Sequence, residues 1–314
     1  MDTRVQQICE SVGSVIVGKD AVIRRVLMAV LSEGHILLED VPGTGKTTLA
    51  MAFARVLGLD SRRVQFNPDT LPSDITGFSV YDHVTGQLVY QEGAVMTHLL
   101  LADEINRTSS KTQAALLEAM QEGHVTVDGV THPLPVPFLV IATQNPAGSV
   151  GTQLLPNAQL DRFLVRLAMG YPERESQISI MKDRHTEDPL NRCTAVISRG
   201  EFLDMAETVR QIFVSDRIYA YVTDLIEATR LHPLVDLGVS PRGGLALCRM
   251  AKAAAFVNGR DFVIPEDVRE VFSDVCAHRL ILSPQARLHD QDAGSILAGI
   301  LKAVSDHEVE NLYL

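Results

Sequence analysis

The stretch Leu37–Phe53, LLEDVPGTGKTTLAMAF, constrains this 314-residue chain more than any other. An apolar run ends at two acids, turns through Pro42, Gly43, Thr44 and Gly45, and restarts as an apolar segment headed by Lys46, Thr47 and Thr48. Glycine reaches backbone dihedrals that other residues avoid. A loop carrying Gly43 and Gly45 can therefore turn its N–H groups inward around phosphate oxygens, and the helix behind it adds its positive N-terminal end. Lys46 then serves the β and γ phosphates, and Thr47 offers a hydroxyl to Mg²⁺. Residues 42–48 become the candidates for binding ATP. The strict pattern G-x-x-x-x-G-K-[ST] wants glycine where this chain has Asp40. The wrapping rests mainly on Gly43, Gly45 and Lys46, so the departure weakens the pattern more than the site.

A phosphate loop predicts a partner acid at the tip of a neighbouring buried strand, and a base near the γ phosphate. HLLLADE (98–104) supplies both after an apolar strand. Sites in open α/β sheets lie off the carboxyl ends of the strands. Asp103 would hold Mg²⁺, directly or through water, and Glu104 would polarise the attacking water. FLVIATQNP (138–146) places Asn145 after another buried strand. Its amide would orient that water, or Asn145 is a turn residue before proline.

The first half alternates short apolar runs with helical patterns. HILLE (35–39), RVQF (63–66), HLLLADE (98–104), PFLVIAT (137–143) and FLVRLAM (163–169) suit strands buried on both faces of a parallel sheet. SSKTQAALLEAMQEG reads as a helix capped by Ser109 or Ser110 and ended by Gly123. Two segments alternate instead, around Thr85-Gly86 and Asp128-Gly129, and predict β-hairpins projecting from the core or edge strands of its sheet. After residue 172 the periods become helical, with no clear strand. Ser240-Pro241 and Pro265 mark helix starts there. The predicted organisation is an α/β core over 1–172 and a helical unit over 173–314.

Net charge is −11, a poor balance for general nucleic-acid binding. No apolar run approaches the ~20 residues needed to span a bilayer. The N-terminus carries no signal-peptide core. Cys9, Cys193, Cys248 and Cys276 form no C-x-x-C pair, which fits packing roles and a reducing cytoplasm. The ten histidines form no metal-binding pattern, and His35 and His98, at the heads of apolar strands, read as structural. The final ENLYL is native or a cloning remnant.

The blocks GHILLEDVPGTGKTTLA, QFNPDTLPSDITGFSVYD, LLLADEINRTSSKTQAALLEAMQEGHVTVDG, FLVIATQNP, LLPNAQLDRFLVRL and LGVSPRGGLAL, in this order, resemble the MoxR family of AAA+ ATPases over most of the chain. The resemblance implies a five-stranded parallel sheet of order 5-1-4-3-2 with two hairpin insertions, an all-α lid, and a homo-oligomeric ring, usually a hexamer. It implies that Asn145 senses the γ phosphate. Arg242, in SPR, resembles a second sensor reaching ATP in its own subunit. Arg162, in LDRF, resembles an arginine finger reaching the neighbour's site, with a local salt bridge to Asp161 as the plain alternative. Arg107 is a second interface candidate. Val17 and Gly18 resemble the segment that packs on adenine, or they are an ordinary helix linker. Val150 and Asn157 stand where the family often carries Glu. The family acts as chaperone-type factors, often on partners with a von Willebrand factor A domain and often in metal insertion or complex maturation. Two other readings are a nucleic-acid motor and a nucleotide-gated switch with little turnover. Neither hairpin contains Lys or Arg to engage nucleic acid.

Overall fold

A computed structural model describes residues 2–41, 43–145, 155–183 and 189–308. Pro42, Val150 and the terminal ENLYL lie outside the described residues. The core is a five-stranded parallel sheet of β1 (Ile36–Glu39), β2 (Ser61–Gln65), β5 (Leu99–Asp103), β8 (Leu139–Gln144) and β9 (Val165–Leu167). Its order is β2-β5-β8-β1-β9. Counting only these strands along the chain, that is the expected 5-1-4-3-2 read from the other edge.

Alternate residues of each strand point to opposite faces, which explains the unbroken apolar runs. Ile36, Leu38, Leu99, Leu101, Leu139 and Ile141 join one core. This core holds the helices α1 (Thr3–Gly13), α2 (Asp20–Leu31) and α3 (Lys46–Val56), with Phe53 fully buried. Leu37, Leu100, Ala102, Val140 and Ala142 face a second core with Leu116, Leu117 and Met120 of α5 (Ser110–Glu122). Ser109 caps α5, its hydroxyl accepting from the Thr112 N–H at 3.3 Å, and Gly123 ends it in the left-handed conformation at φ 67°.

Both alternating segments form two-stranded sheets separate from the core sheet: β3 (Gly77–Asp82) with β4 (Gln87–Glu92), and β6 (His124–Val127) with β7 (Val130–Pro133). They are hairpin insertions, not edge strands. Asp128 and Gly129, at φ 50° and 80°, make the two-residue turn of the second. The short α4 (Pro72–Thr76) leads into the first. The hairpins touch where Tyr90 stacks on His132 with ring centroids 3.8 Å apart.

Beyond the short α6 (Asn157–Leu160) and β9, the chain is largely helical. It runs through α7 (Arg174–Asp183), α8 (Arg199–Gln211), α9 (Asp216–Leu231), α10 (Pro241–Val257), α11 (Pro265–Cys276), α12 (Pro284–Leu288) and α13 (Ala293–Glu308). α10 starts at Pro241, with the Ser240 hydroxyl accepting from the Gly243 N–H. One addition to the expected lid is an antiparallel pair, β10 (Val235–Leu237) with β11 (Ile281–Leu282). Strands of three and two residues are too short to leave an alternating signature. Phe202, Tyr221, Met250 and Phe272 of these helices join the same apolar core as the α1–α3 face. Among the described residues no helix is long and apolar enough to cross a membrane.

Candidate nucleotide site

The phosphate loop leaves the C-terminal end of β1. Gly43 and Gly45 stand at φ 86° and 92°, where a side chain would be strained, and a Cβ on Gly43 would meet nothing within 4 Å. The loop is thus an open cradle ending in the N-terminus of α3. Lys46 folds over it, donating from Nζ to the Asp40 and Val41 carbonyls at 2.5 and 3.0 Å. Burial lowers the Lys46 pKa, opposed by Asp40, Asp103 and Glu104. Among the described residues these two loop carbonyls are its hydrogen-bond partners, an arrangement that phosphate oxygens can replace. Lys46→Ala removes this charge-assisted contact, about 1.5–3 kcal/mol. It should weaken ATP binding roughly 10–100-fold, as isothermal titration can measure.

Asp40 has a definite task. Its carboxylate accepts from the Val41 N–H at 2.7 Å and from the Gly170 N–H at 2.5 Å, tying the loop's entry to the segment that leaves β9. A glycine here cannot make that tie. Asp40→Gly, although it restores the strict pattern, should lower stability by about 1–3 kcal/mol. A shift of the urea midpoint at unchanged slope would register it.

Opposite the loop, the ends of β5 and β8 bring four candidates together. The Thr47 hydroxyl donates to Asp103 Oδ2 at 3.1 Å, Arg63 Nη2 to the same oxygen at 2.8 Å, and the Thr143 hydroxyl to Oδ1 at 2.6 Å. The Thr143 oxygen also accepts from the Glu104 N–H at 2.9 Å, so one hydroxyl fixes both acids. Glu104 adopts φ 58°, ψ 47°. That left-handed geometry costs on the order of 1–3 kcal/mol in a non-glycine residue. It turns the chain sharply after Asp103, so two consecutive carboxylates join the same cluster of hydrogen bonds. Glu104 Oε1 accepts from Asn145 Nδ2 at 3.1 Å. Oε2 accepts from Gln65 at 3.0 Å and Arg107 at 2.9 Å. A threonine hydroxyl beside one carboxylate suits Mg²⁺, which takes few protein ligands and completes its shell with water and phosphate. The described residues contain no cluster of three or more acidic, His or Cys ligands.

Arg63, Gln65 and Thr143 were not singled out in the sequence. Their signal was weak but legible: each is a polar residue at or near the carboxyl end of a core strand, where sites in such sheets form. His35 is structural, as expected. Its Nε2 lies 3.0 Å from the Met120 carbonyl and its Nδ1 accepts from the Val140 N–H at 3.1 Å. Burial pushes its pKa down to about 4. His98 lies beside Asp60 and Arg199.

Val17 and Gly18 form the connector between α1 and α2. A Cβ on Gly18, at φ 71°, would fall 2.2 Å from the Ser176 hydroxyl of α7. The adjacent Lys19 donates to the Tyr171 carbonyl at 2.9 Å. The connector therefore packs on the 170–176 segment that Asp40 also grips. Thr44 closes the loop, its hydroxyl donating to the Val41 carbonyl at 3.3 Å, and Thr48 lies half-buried in the first turn of α3.

Arg162 and Arg242 lie elsewhere. Both line a cavity of about 680 Å³ walled by Gly34 and His35 before β1, by Arg249 of α10, and by Arg279. None of residues 43–48, Asp103, Glu104 or Asn145 lines it. Its wall is at the amino end of β1, whereas the phosphate loop follows the carboxyl end. The expected reach of Arg242 to its own subunit's ATP therefore does not match its placement. The reason is the lid's seat: α10 caps the end of α2, where Arg249 bonds the Ser32 carbonyl, and this carries the start of α10 to the side where Arg162 lies. Arg242 is exposed and has no hydrogen bond or ion pair among the described residues. Arg162, half-buried, donates to the Leu117 carbonyl at 2.7 Å, while Asp161 pairs with Arg279 instead. The local salt bridge offered as the alternative for Arg162 is not made. Asn157 is the exposed first residue of α6.

The model of the ATPase family associated with various cellular activities (AAA) matches residues 35–165, and that of the AAA lid domain matches 227–300. Chaperone MoxR1 of Mycobacterium tuberculosis (strain ATCC 25618 / H37Rv) is 40% identical over 300 residues, spanning 93% of this chain and 79% of that protein. An uncharacterized Bacillus subtilis (strain 168) protein, YeaC, is 45% identical over 295 residues, 94% of this chain and 92% of its own length. The crystal structure of an ATPase candidate from Cytophaga hutchinsonii superposes with a TM-score of 0.88 at 36% identity, covering 96% of this chain and 94% of that one. With the sheet order, the lid and the phosphate loop in place, this chain belongs to the MoxR family of AAA+ ATPases.

Proposed function

We propose that this protein hydrolyses ATP with Mg²⁺ in a homo-oligomeric ring, a hexamer by family resemblance, and uses the cycle to remodel or activate a partner protein. The observation that carries the reading is the convergence of Thr47, Asp103, Glu104 and Asn145 beside an open phosphate cradle. The backbone N–H groups of residues 43–48 and the Lys46 ammonium would hold the phosphates. Thr47 and Asp103 would hold Mg²⁺, which when bound neutralises charge on the β and γ phosphates. Glu104 would take the proton of the attacking water, with Asn145 positioning water and γ phosphate. Val17 and Gly18 would border the adenine. The core would run over 1–172 and the lid over 173–314.

Arg162 and Arg242 line one cavity away from their own loop. In a head-to-tail ring the same interface repeats until it closes. We infer that both cations serve the neighbour's γ phosphate, one from the core and one from the lid. Each site would then be built from two subunits.

The partner would meet the hairpins. Phe78, Tyr81 and Leu88 are exposed by 50%, 53% and 64% in the first hairpin, an apolar fraction unusual for a surface ribbon and without Lys or Arg. The name of the relative MoxR1 is that of a chaperone, which supports a protein partner, one with a von Willebrand factor A domain by resemblance. Trapping the Glu104→Gln form with ATP should retain such a partner, and replacing Phe78, Tyr81 and Leu88 with Ser should release it. Retention of nucleic acid in place of protein would instead favour a nucleic-acid motor. A chain that retains nothing in repeated trials would lack the remodelling function.

A further inference from the structure

Arg279 closes the short helical turn after α11 and is 3% exposed at its side chain. Its guanidinium grips residues 161–164. Nε donates to Asp161 Oδ1 at 2.7 Å, and Nη2 to the Asp161 and Phe163 carbonyls at 3.2 and 2.7 Å. Nη1 donates to the Leu164 carbonyl at 3.2 Å, contacts the Val275 carbonyl, and lies 2.7 Å from His278 Nε2. The segment so held contains Arg162. The stem of the same side chain supports the start of α10. A Cβ on Gly243 would fall 2.9 Å from Arg279 Cδ and 2.4 Å from a Val239 methyl, so the helix seats here only because that residue is glycine. The residue before it is Arg242.

A planar fork of donors fixes direction as well as distance, which a lysine cannot do. Burial removes competing water, and Nε, Nη2 and one Nη1 bond are all directed at residues 161–164, so the grip on that stretch is rigid. From this geometry we propose that Arg279 is a positioning residue for a composite ATPase site: it locks Arg162 of the core and Arg242 of the lid into one register, so that the two cations arrive together at the neighbouring subunit's phosphate. The proposal rests on the reading that both cations act across the interface. It also makes the lid's seating a condition for the neighbour's hydrolysis, because the residue that anchors Arg162 belongs to the lid.

The test is hydrolysis by mixed rings of the full-length protein. Arg279→Lys keeps the charge and loses the fork. It should bind ATP within about 2-fold of the parent while hydrolysing roughly 10–100-fold more slowly, since misplacement of a catalytic group by about 1 Å has that effect. Mixed with Glu104→Gln, which retains good cations but a dead site, it should regain activity. Mixed with Arg162→Ala, which lacks the finger, it should stay slow. Asp161→Asn should repeat the pattern more weakly and serves if Arg279→Lys does not fold. Parent-like hydrolysis by both variants, or no rescue of a folded variant by Glu104→Gln, would overturn the positioning role. The control mixture of Glu104→Gln with Arg162→Ala tests the underlying reading separately: if it stays silent, the cross-subunit site itself is wrong.

Discussion

Glu104→Gln should bind ATP as the parent does and hydrolyse it at least about 100-fold more slowly, the lower bound of what a positioned general base contributes. The side chains are isosteric, so the hydrogen bonds from Gln65 and Arg107 at 3.0 and 2.9 Å can persist to the amide oxygen. The basic oxygen facing Asn145 becomes an amide nitrogen, which cannot accept a proton. Folding should be nearly unaffected, because Glu104 is only partly buried and its left-handed backbone persists. The informative comparison is the ATP dissociation constant against single-turnover hydrolysis. Loss of both together would mean that Glu104 holds the loop. Equal hydrolysis rates would mean that the chain is a nucleotide-gated switch.

Arg162→Ala should produce a loss of similar size by a different route. Arginine fingers contribute roughly 10³–10⁵ in rate in well-studied phosphoryl transfers. Here a second cation, Arg242, shares the cavity, so the loss should fall near the lower end, about 10³-fold or less. The phosphate loops are untouched, and ATP affinity should stay within about 2-fold of the parent's, since a finger of this kind acts on charge that develops in the transition state and not on bound ATP. Arg162 makes one hydrogen bond, to the Leu117 carbonyl, and no ion pair among the described residues, so its removal should cost about 1 kcal/mol of stability or less. A dilute, unassembled parent should behave like Arg162→Ala: it binds ATP and turns it over slowly.

The sequence was most informative where one local rule dominates. The strand–loop–helix around Gly43 and Gly45, the cap at Ser109 and the Asp128-Gly129 turn are each specified by residues adjacent in the chain. β1, β5 and β8 were legible because both of their faces are buried, whereas β2, expected to be buried on both faces, is an edge strand with Arg62, Arg63 and Gln65 exposed. Asp40 was legible only as an exception to a pattern. Its bond to Gly170 spans 130 positions, and no local spacing announces it. Arg242 was found by its motif and misplaced in space, because where a lid helix sits depends on long-range packing of α10 on α2. Arg279 gave no sequence signal at all. A buried arginine whose partners are mostly backbone carbonyls leaves no pattern of complementary side chains.

The claim that each ATPase site is shared between subunits is tested most directly by mixing two inactive proteins. Glu104→Gln supplies intact cations and a dead base, and Arg162→Ala supplies an intact site and no finger. Each ring alone should be nearly silent. If sites form across a head-to-tail interface, random co-assembly at equal amounts makes roughly a quarter of them complete, and hydrolysis should return to about that fraction of the parent rate. Should the co-assembled mixture stay as silent as its components, Arg162 does not act on the neighbouring site and the shared-site account is contradicted.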